Sequence, residues 1–179
     1  SSEYLGIDVH METGTGKTYV YAKTMLEMHK HLGVNKFVVA VPSLPIRQGA
    51  IDFLTADYVR DHFSTRYDGV EFTVHAVGSR KNGKRPQFPL SVTNFVNADS
   101  SDPSEIHVLV VNRGMLKTGK NDSLNRSDYD QTLMGQYNQP YAAIAATNPV
   151  LIVDEPHRFK RDGVAVSYTH LTLPTNREG

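Results

Sequence analysis

Cysteine is absent from the 179-residue sequence, which excludes disulfides, thiol chemistry and cysteine-based zinc sites. No apolar run approaches the roughly 18 residues that a membrane-spanning helix needs, and no basic-then-apolar leader opens the sequence. We therefore expect no membrane partner and a cytoplasmic location. A chain of this length makes one ordinary domain, which buries about 70% of its unfolded surface.

An excess of charge of either sign is also lacking. Lysine plus arginine and aspartate plus glutamate each number 19, so the formal net charge is zero. The overall charge therefore gives no argument for a nucleic-acid partner, and any such partner has to be inferred from motifs.

A glycine-containing loop near the start of the sequence is the main functional signal. It lies between a predicted strand at residues 4–10 and a helix-patterned segment, which is the context of a phosphate-binding loop. Its residues are Met11-Glu12-Thr13-Gly14-Thr15-Gly16-Lys17-Thr18. Gly14 and Gly16 let successive backbone N–H groups point inward at a polyphosphate, and the helix start adds a positive end.

Each residue of this loop has an expected role. Lys17 would reach the β- and γ-phosphates, and the Thr18 hydroxyl would bind Mg²⁺. The predicted cofactor-binding residues are Thr13, Gly14, Thr15, Gly16, Lys17 and Thr18. Met11 departs from the general pattern, which has glycine there. An ordinary turn with a surface lysine is the alternative interpretation.

The hydrophobic pattern predicts alternating helices and strands through the first half of the chain. A helix at Lys17–Leu32 and a strand at Lys36–Val41 complete a βαβ unit with the first strand. A helix of about twenty residues follows and passes through Phe63. A strand near the sheet edge is expected at Glu71–Val77, with His75 as a half-buried strand residue.

Two polar stretches, Gly78–Glu105 and Lys117–Asn138, are predicted to be loops. The first carries four basic residues, so a loop that touches nucleic acid is the alternative to a solvated insertion. Beyond the loops we expect the strand Ile106–Val111, the helix Tyr141–Thr147 and the strand Val150–Glu155. The expected fold is α/β, with a mostly parallel sheet and helices on both faces.

The last predicted strand ends in two carboxylates. Nucleotide hydrolysis needs a second metal ligand and a group that orients water in addition to the glycine loop, and these carboxylates could supply both. Asp154 would hold Mg²⁺ through water and complete the metal site begun by Thr18. Glu155 would orient or polarise the attacking water. Such a pair alone is often a solvated strand end, but together with the glycine loop it favours an ATP site.

These motifs resemble those of superfamily 2 helicases and translocases, whose motif I tolerates a non-glycine first residue. Residues 11–18 resemble motif I and residues 150–159 resemble motif II. Motif Ia is matched by Pro42-Ser43-Leu44-Pro45-Ile46-Arg47-Gln48-Gly49. Within the superfamily, the strings that begin at Asp8 and at Asp154 resemble the Res subunit of type III restriction-modification enzymes. The resemblance covers residues 4–163.

The resemblance implies a RecA-like lobe of an ATP-dependent DNA motor that is coupled to an endonuclease. It implies ATP and Mg²⁺ as cofactors, and double-stranded DNA and a methyltransferase (modification) subunit as partners. The residues implied to be catalytic are Lys17, Asp154 and Glu155.

The resemblance also implies roles outside the ATP site. His157 would couple that site to the side that faces DNA. Ser43 and Arg47 would lie along the DNA backbone.

The sequence is expected to be a fragment. Residues 1–166 would form a partial N-terminal lobe, and residues 167–179 resemble translated sequencing-adapter DNA. Because a second lobe and a nuclease motif are not matched, we expect ATP binding with little hydrolysis and no cleavage by this piece alone.

Three alternatives for the function stay open. They are another superfamily 2 DNA helicase without a nuclease, a non-catalytic ATP-binding fragment, and an ABC-type ATPase. The ABC-type alternative is suggested by a weak resemblance to that class's Leu-Ser-Gly-Gly-Gln motif at Leu133-Met134-Gly135-Gln136.

Overall fold

The computed structural model describes residues 16–77, 88–116, 124–127, 129, 132–133 and 135–159. Within them the chain forms the following elements: α1 (Lys17–Leu32), β1 (Lys36–Val41), α2 (Leu44–Thr55), α3 (Asp57–Ser64), β2 (Glu71–Ala76), α4 (Leu90–Asn97), β3 (Glu105–Asn112), α5 (Pro140–Ala146) and β4 (Val150–Val153). Short 3₁₀ helices follow β3 at Arg113–Leu116 and β4 at Pro156–Arg158. The strand predicted at residues 4–10 lies outside the described residues.

The four described strands form one sheet in the order β2-β3-β1-β4, and every pairing is parallel. Ala40 of β1 is in register with Val111 of β3 and with Val153 of β4. The carboxyl ends of these three strands therefore meet at one edge of the sheet, where open α/β sheets bind their ligands. The arrangement confirms the predicted α/β fold.

Helices cover both faces of this sheet. Phe37 and Val39 of β1 pack in a core with α1, α2 and α3. Val38 and Ala40 face the other way, into a core with α4 and α5. Because successive strand residues point to opposite faces, β1 is buried along its whole length, which explains its continuous apolar run.

Several predicted boundaries are confirmed. The helix Lys17–Leu32 and the strand Lys36–Val41 match residue for residue, and Gly33 ends α1 in a left-handed conformation with φ 68°. β2 lies at the edge of the described sheet, as expected. None of the described helices combines the length and the apolar character that a bilayer crossing requires.

The predicted helix of about twenty residues is wrong, because the chain breaks at Ala56 into α2 and α3. Ala56 is extended, with ψ 135°. In a continuous helix Phe63 would lie about 180° around the axis from Leu54, since each residue adds about 100°. Both side chains are buried in the same core, and only the break allows this.

The prediction of a loop across Gly78–Glu105 is wrong at α4. Three buried side chains, Val92, Phe95 and Val96, follow helical spacing and dock this helix on the sheet. The helix has only eight residues, and the polar composition of the whole stretch 78–105 concealed its short apolar pattern. The four basic residues of this stretch lie at 80–85, outside the described residues.

Candidate functional site

The start of α1 lies at the carboxyl edge of the sheet and is open to an anion. Gly16 has φ 80° and ψ 31°, a left-handed conformation that glycine adopts without a steric penalty. Among the described residues no side chain caps this helix start, and its first turn carries no acidic residue. The N–H groups of the first turn and the Lys17 ammonium therefore suit a phosphate group. Thr13, Gly14 and Thr15 lie outside the described residues.

Asp154 extends the ladder between β1 and β4. Its backbone N–H donates to the Ala40 carbonyl at 2.8 Å, which fixes the residue directly after β4. Burial raises the pKa of the half-buried Asp154 carboxyl, and the nearby Lys17 ammonium opposes that rise. A partly desolvated carboxylate next to a positive charge is a suitable ligand for a divalent cation.

Glu155 turns its carboxylate toward α1. Its backbone is left-handed, with φ 53° and ψ 61°, which is uncommon for a residue other than glycine. Such a conformation costs on the order of 1–3 kcal/mol and occurs preferentially at functional sites. The turn leads into the 3₁₀ helix Pro156–Arg158 and leaves Glu155 Oε1 3.8 Å from Lys17 Nζ.

Arg158 holds the other oxygen of the same carboxylate. Its Nη1 donates to Glu155 Oε2 at 3.0 Å. This hydrogen bond holds the pKa of Glu155 below its ordinary range, and the charges of Arg158 and Lys17 act in the same direction. Sequence reasoning missed Arg158, although its position three residues after Glu155 is the spacing of neighbours along a helical turn.

Tyr21 lies one helical turn after Thr18, one of the two predicted metal ligands, and its side chain is buried. Burial raises the pKa of Tyr21 to about 12, so its hydroxyl stays protonated.

The comparisons with known proteins agree with these motifs. A family model described as "Type III restriction enzyme, res subunit" matches residues 3–175. The chain belongs to this family. The Res subunit of the type III restriction-modification enzyme StyLTI from Salmonella typhimurium is 45% identical over 159 residues, which cover 87% of this chain and 16% of that protein. The EcoPI Res subunit from Escherichia phage P1 is 43% identical over 157 residues, which cover 86% of this chain and 16% of that protein.

The Res-family chain thus spans about one sixth of the length of these relatives, at 16%. Membership confirms the resemblance and the RecA-like α/β lobe. The boundary predicted at residue 166 and the non-native origin of residues 167–179 stay predictions, because residues 160–179 lie outside the described part of the chain.

Membership in the Res family overturns the ABC-type alternative. The segment that suggested it contains a tight turn at its described residues. The N–H groups of Gln136 and Tyr137 both donate to the Leu133 carbonyl, and Leu133 is buried in the second core. The described residues of this segment therefore form a local turn, with Leu133 packed in the core beside the sheet.

The residues predicted to lie along DNA have different surroundings in the Res-family chain. Ser43 is the N-cap position of α2, two residues after the end of β1, and it is half-buried. Arg47 is only 9% exposed; its Nε donates to the Val110 carbonyl at 3.3 Å, and its Nη2 donates to the Val77 carbonyl. Arg47 thus joins α2 to the ends of two strands. Burial lowers the pKa of its guanidinium.

His157 is exposed on the 3₁₀ helix after β4, two residues beyond Glu155. Its position helps to lower the pKa of Glu155. The coupling role of His157 and the DNA-binding roles of Ser43 and Arg47 stay predictions.

Proposed function

We propose that the Res-family chain is the ATP-binding motor lobe of an ATP-dependent DNA translocase that is part of a type III restriction endonuclease. Its partners in that role are double-stranded DNA and a modification subunit, and its location is the cytoplasm. The observation that carries the proposal is the meeting of Lys17, at the start of α1, with the two carboxylates that follow β4. Relatives named as restriction enzyme Res subunits support the same role.

The residues present fit ATP with Mg²⁺. The glycine loop and Lys17 would hold the phosphates, and the Thr18 hydroxyl and the Asp154 carboxylate would hold the cation. Bound Mg²⁺ supplies charge neutralisation at the β- and γ-phosphates. The open start of α1 and the partly buried Asp154 are the structural observations that support this fit.

Lys17 also has a carboxylate neighbour within the proposed site. It lies 3.8 Å from Glu155, so phosphate binding would draw the ammonium away from this carboxylate. Glu155 then becomes available to accept a hydrogen bond from the attacking water. Because Arg158 keeps the pKa of Glu155 low, the carboxylate stays ionised and serves to orient water.

The described lobe supplies only one side of a motor site. DNA cleavage and rapid turnover belong to the complete protein. The matched relatives are about six times as long as the chain described here, which covers 16% of their length. The Res-family chain alone is therefore expected to bind ATP with little hydrolysis. In the complete protein, His157 would couple ATP turnover to DNA movement, and Ser43 and Arg47 would border the DNA path.

Nucleotide binding by the Res-family chain tests the proposal. Lys17→Ala removes the charge that would contact the phosphates, so ATP binding measured by calorimetry should be abolished. Lys23→Ala is the matched control, because Lys23 is an exposed lysine on the same helix. In the complete protein Glu155→Gln should bind ATP normally and lose turnover. Unchanged ATP affinity in the Lys17 variant would overturn the assignment.

A further inference from the structure

The turn that carries Glu155 has a backbone conformation that its own sequence disfavours. Glu155 has φ 53° and ψ 61°, in the left-handed region that residues other than glycine rarely occupy. Pro156 follows it directly, and a residue before proline prefers an extended backbone. Such a conformation persists only where the surrounding structure fixes it. The contacts that fix this turn therefore decide where the Glu155 carboxylate lies.

The sheet fixes the amino-terminal side of the turn. The Asp154 N–H donates to the Ala40 carbonyl at 2.8 Å, which continues the parallel pairing of β4 with β1. The 3₁₀ helix that follows Glu155 consists of Pro156, His157 and Arg158, and all three are exposed. Because they are exposed, these three residues do not anchor the turn in a core.

Phe159 fixes the carboxyl-terminal side of the turn. Its ring is fully buried, at 0% exposed, in the core that also contains Phe95 of α4 and Ile144 of α5. Its N–H donates to the Pro156 carbonyl at 3.1 Å, at the end of the 3₁₀ helix. Within the described stretch 154–159, Phe159 has the one buried side chain. Only residues 155–158 lie between the two fixed points, so the backbone of Glu155 has little freedom.

The side-chain contacts of Glu155 hold the turn less firmly. Arg158 Nη1 donates to Glu155 Oε2 at 3.0 Å, and Lys17 Nζ lies 3.8 Å from Glu155 Oε1. All three side chains are partly exposed, and ion pairs in contact with water contribute little. Arg158 also belongs to the turn itself, so its bond does not fix the turn relative to the sheet. A fully buried aromatic ring contributes more than either pair.

We propose that Phe159 is a positioning residue for the proposed nucleotide site, because its buried ring holds the turn that directs Glu155 toward Lys17. This inference rests on the proposed function. Phe159 lies in the core on the other face of the sheet from α1, so it acts through Glu155 and does not contact the nucleotide. A smaller side chain lets the turn relax and moves the Glu155 carboxylate, while Lys17 still binds phosphate.

The test compares Phe159→Leu with the parent in the complete protein. The kcat for ATP hydrolysis should fall about tenfold or more, because a small displacement of a catalytic group has a large effect on rate. ATP affinity should stay within about twofold of the parent, which also shows that the variant is folded. Phe159→Met nearly conserves the side-chain volume, so its kcat should lie between those of the parent and Phe159→Leu. It provides the same comparison if Phe159→Leu does not fold.

Phe95→Leu is the matched control. Phe95 is also fully buried in this core, but it lies on α4 and not on the turn. The substitution removes the same atoms, so stability should fall by a similar amount while kcat and ATP affinity stay unchanged.

A double variant provides a second check on the role of Phe159. In the Glu155→Gln background, Phe159→Leu should not reduce the residual turnover further, because the carboxylate through which Phe159 acts is already absent.

The outcomes separate this inference from the proposed function. If the parent protein neither binds nor hydrolyses ATP, the proposed function is overturned and this inference with it. If the parent hydrolyses ATP and both Phe159 variants keep its kcat, only the role of Phe159 is overturned. An equal fall in kcat in Phe95→Leu also overturns that role, because it points to a general effect of the core.

Discussion

The Lys17 ammonium lies 3.8 Å from the Glu155 carboxylate, although the two residues are at opposite ends of the described chain. Both side chains are partly exposed, at 26% and 21%, so the pair contributes no more than about 1 kcal/mol to stability. A weak pair between two residues of the proposed nucleotide site is easily exchanged. Lys17 can therefore leave Glu155 for a phosphate at little cost in folding free energy.

Arg158→Gln should shift the pH dependence of the complete enzyme. The hydrogen bond from Arg158 is the largest cause of the lowered pKa of Glu155, so its loss lets that pKa rise toward the ordinary value. Glu155 would then become protonated at a higher pH, so the acid limb of the ATPase pH profile should shift toward higher pH. The profile of turnover against pH checks this result.

The control for Arg158 is Arg60→Gln. Arg60 pairs with Asp57 at 2.7 Å with the same three-residue spacing, on α3. Its loss should leave the acid limb in place. An unmoved acid limb in Arg158→Gln would contradict a role for Arg158 at Glu155.

Arg47→Ala should destabilise the fold by about 2–4 kcal/mol, because it leaves the Val77 and Val110 carbonyls without their donor. Chemical unfolding of the chain measures this loss. Arg60→Ala, at an exposed position, should cost less than about 1 kcal/mol. A loss as small as that in Arg47→Ala would mean that the guanidinium is free for another role, such as contact with DNA.

Acid should destabilise the chain through His75. Burial lowers the pKa of His75 from 6.5 to about 4, and His107, whose Nδ1 lies 3.4 Å from His75 Nε2, opposes protonation further. The unfolded chain binds the proton more readily between these two values, so stability should fall as the pH drops from about 6.5 toward about 4.

Replacing His75 with glutamine should flatten this pH dependence. Unfolding free energies of His75→Gln and of the parent chain, measured from about pH 7 down to about pH 4.5, give the comparison. His31→Gln is the control, because the His31 side chain is 67% exposed. Identical pH slopes in His75→Gln and in the parent would show that the lowered pKa of His75 does not cause the loss of stability in acid.

Phe95→Ala should cost about 3–5 kcal/mol, because the ring is fully buried between α4 and the sheet. Leu90→Ala on the same helix should cost little, since Leu90 is 71% exposed. Thermal or urea unfolding distinguishes the two variants. Equal and small effects would mean that α4 does not dock as described.

The glycine loop and the acidic pair could be recognised in the sequence because their chemistry is local. Gly16 is required where the backbone is left-handed, and Lys17 follows it directly. The long apolar runs of β1 and β3 could be predicted for the same reason, since a strand buried on both faces has apolar residues at successive positions.

Only the tertiary structure decided the break at Ala56, the docking of α4 and the surroundings of Arg47. In each case the deciding contact joins distant parts of the chain. Leu54 and Phe63 share a core with strand residues, Phe95 of α4 packs on β1 and β3, and Arg47 reaches one carbonyl in β3 and one directly after β2. Local patterns contain no information about such partners, because burial depends on which elements pack together.

The sequence by itself thus determined the α/β class, the family and the residue types of the proposed nucleotide site. The tertiary structure decided which groups surround them, bringing Arg158 and Lys17 to the two oxygens of the Glu155 carboxylate. Motif chemistry follows from side-chain types at short spacing. The pKa and orientation of each group depend on burial and neighbouring charges, and these exist only once the sheet and helices have packed.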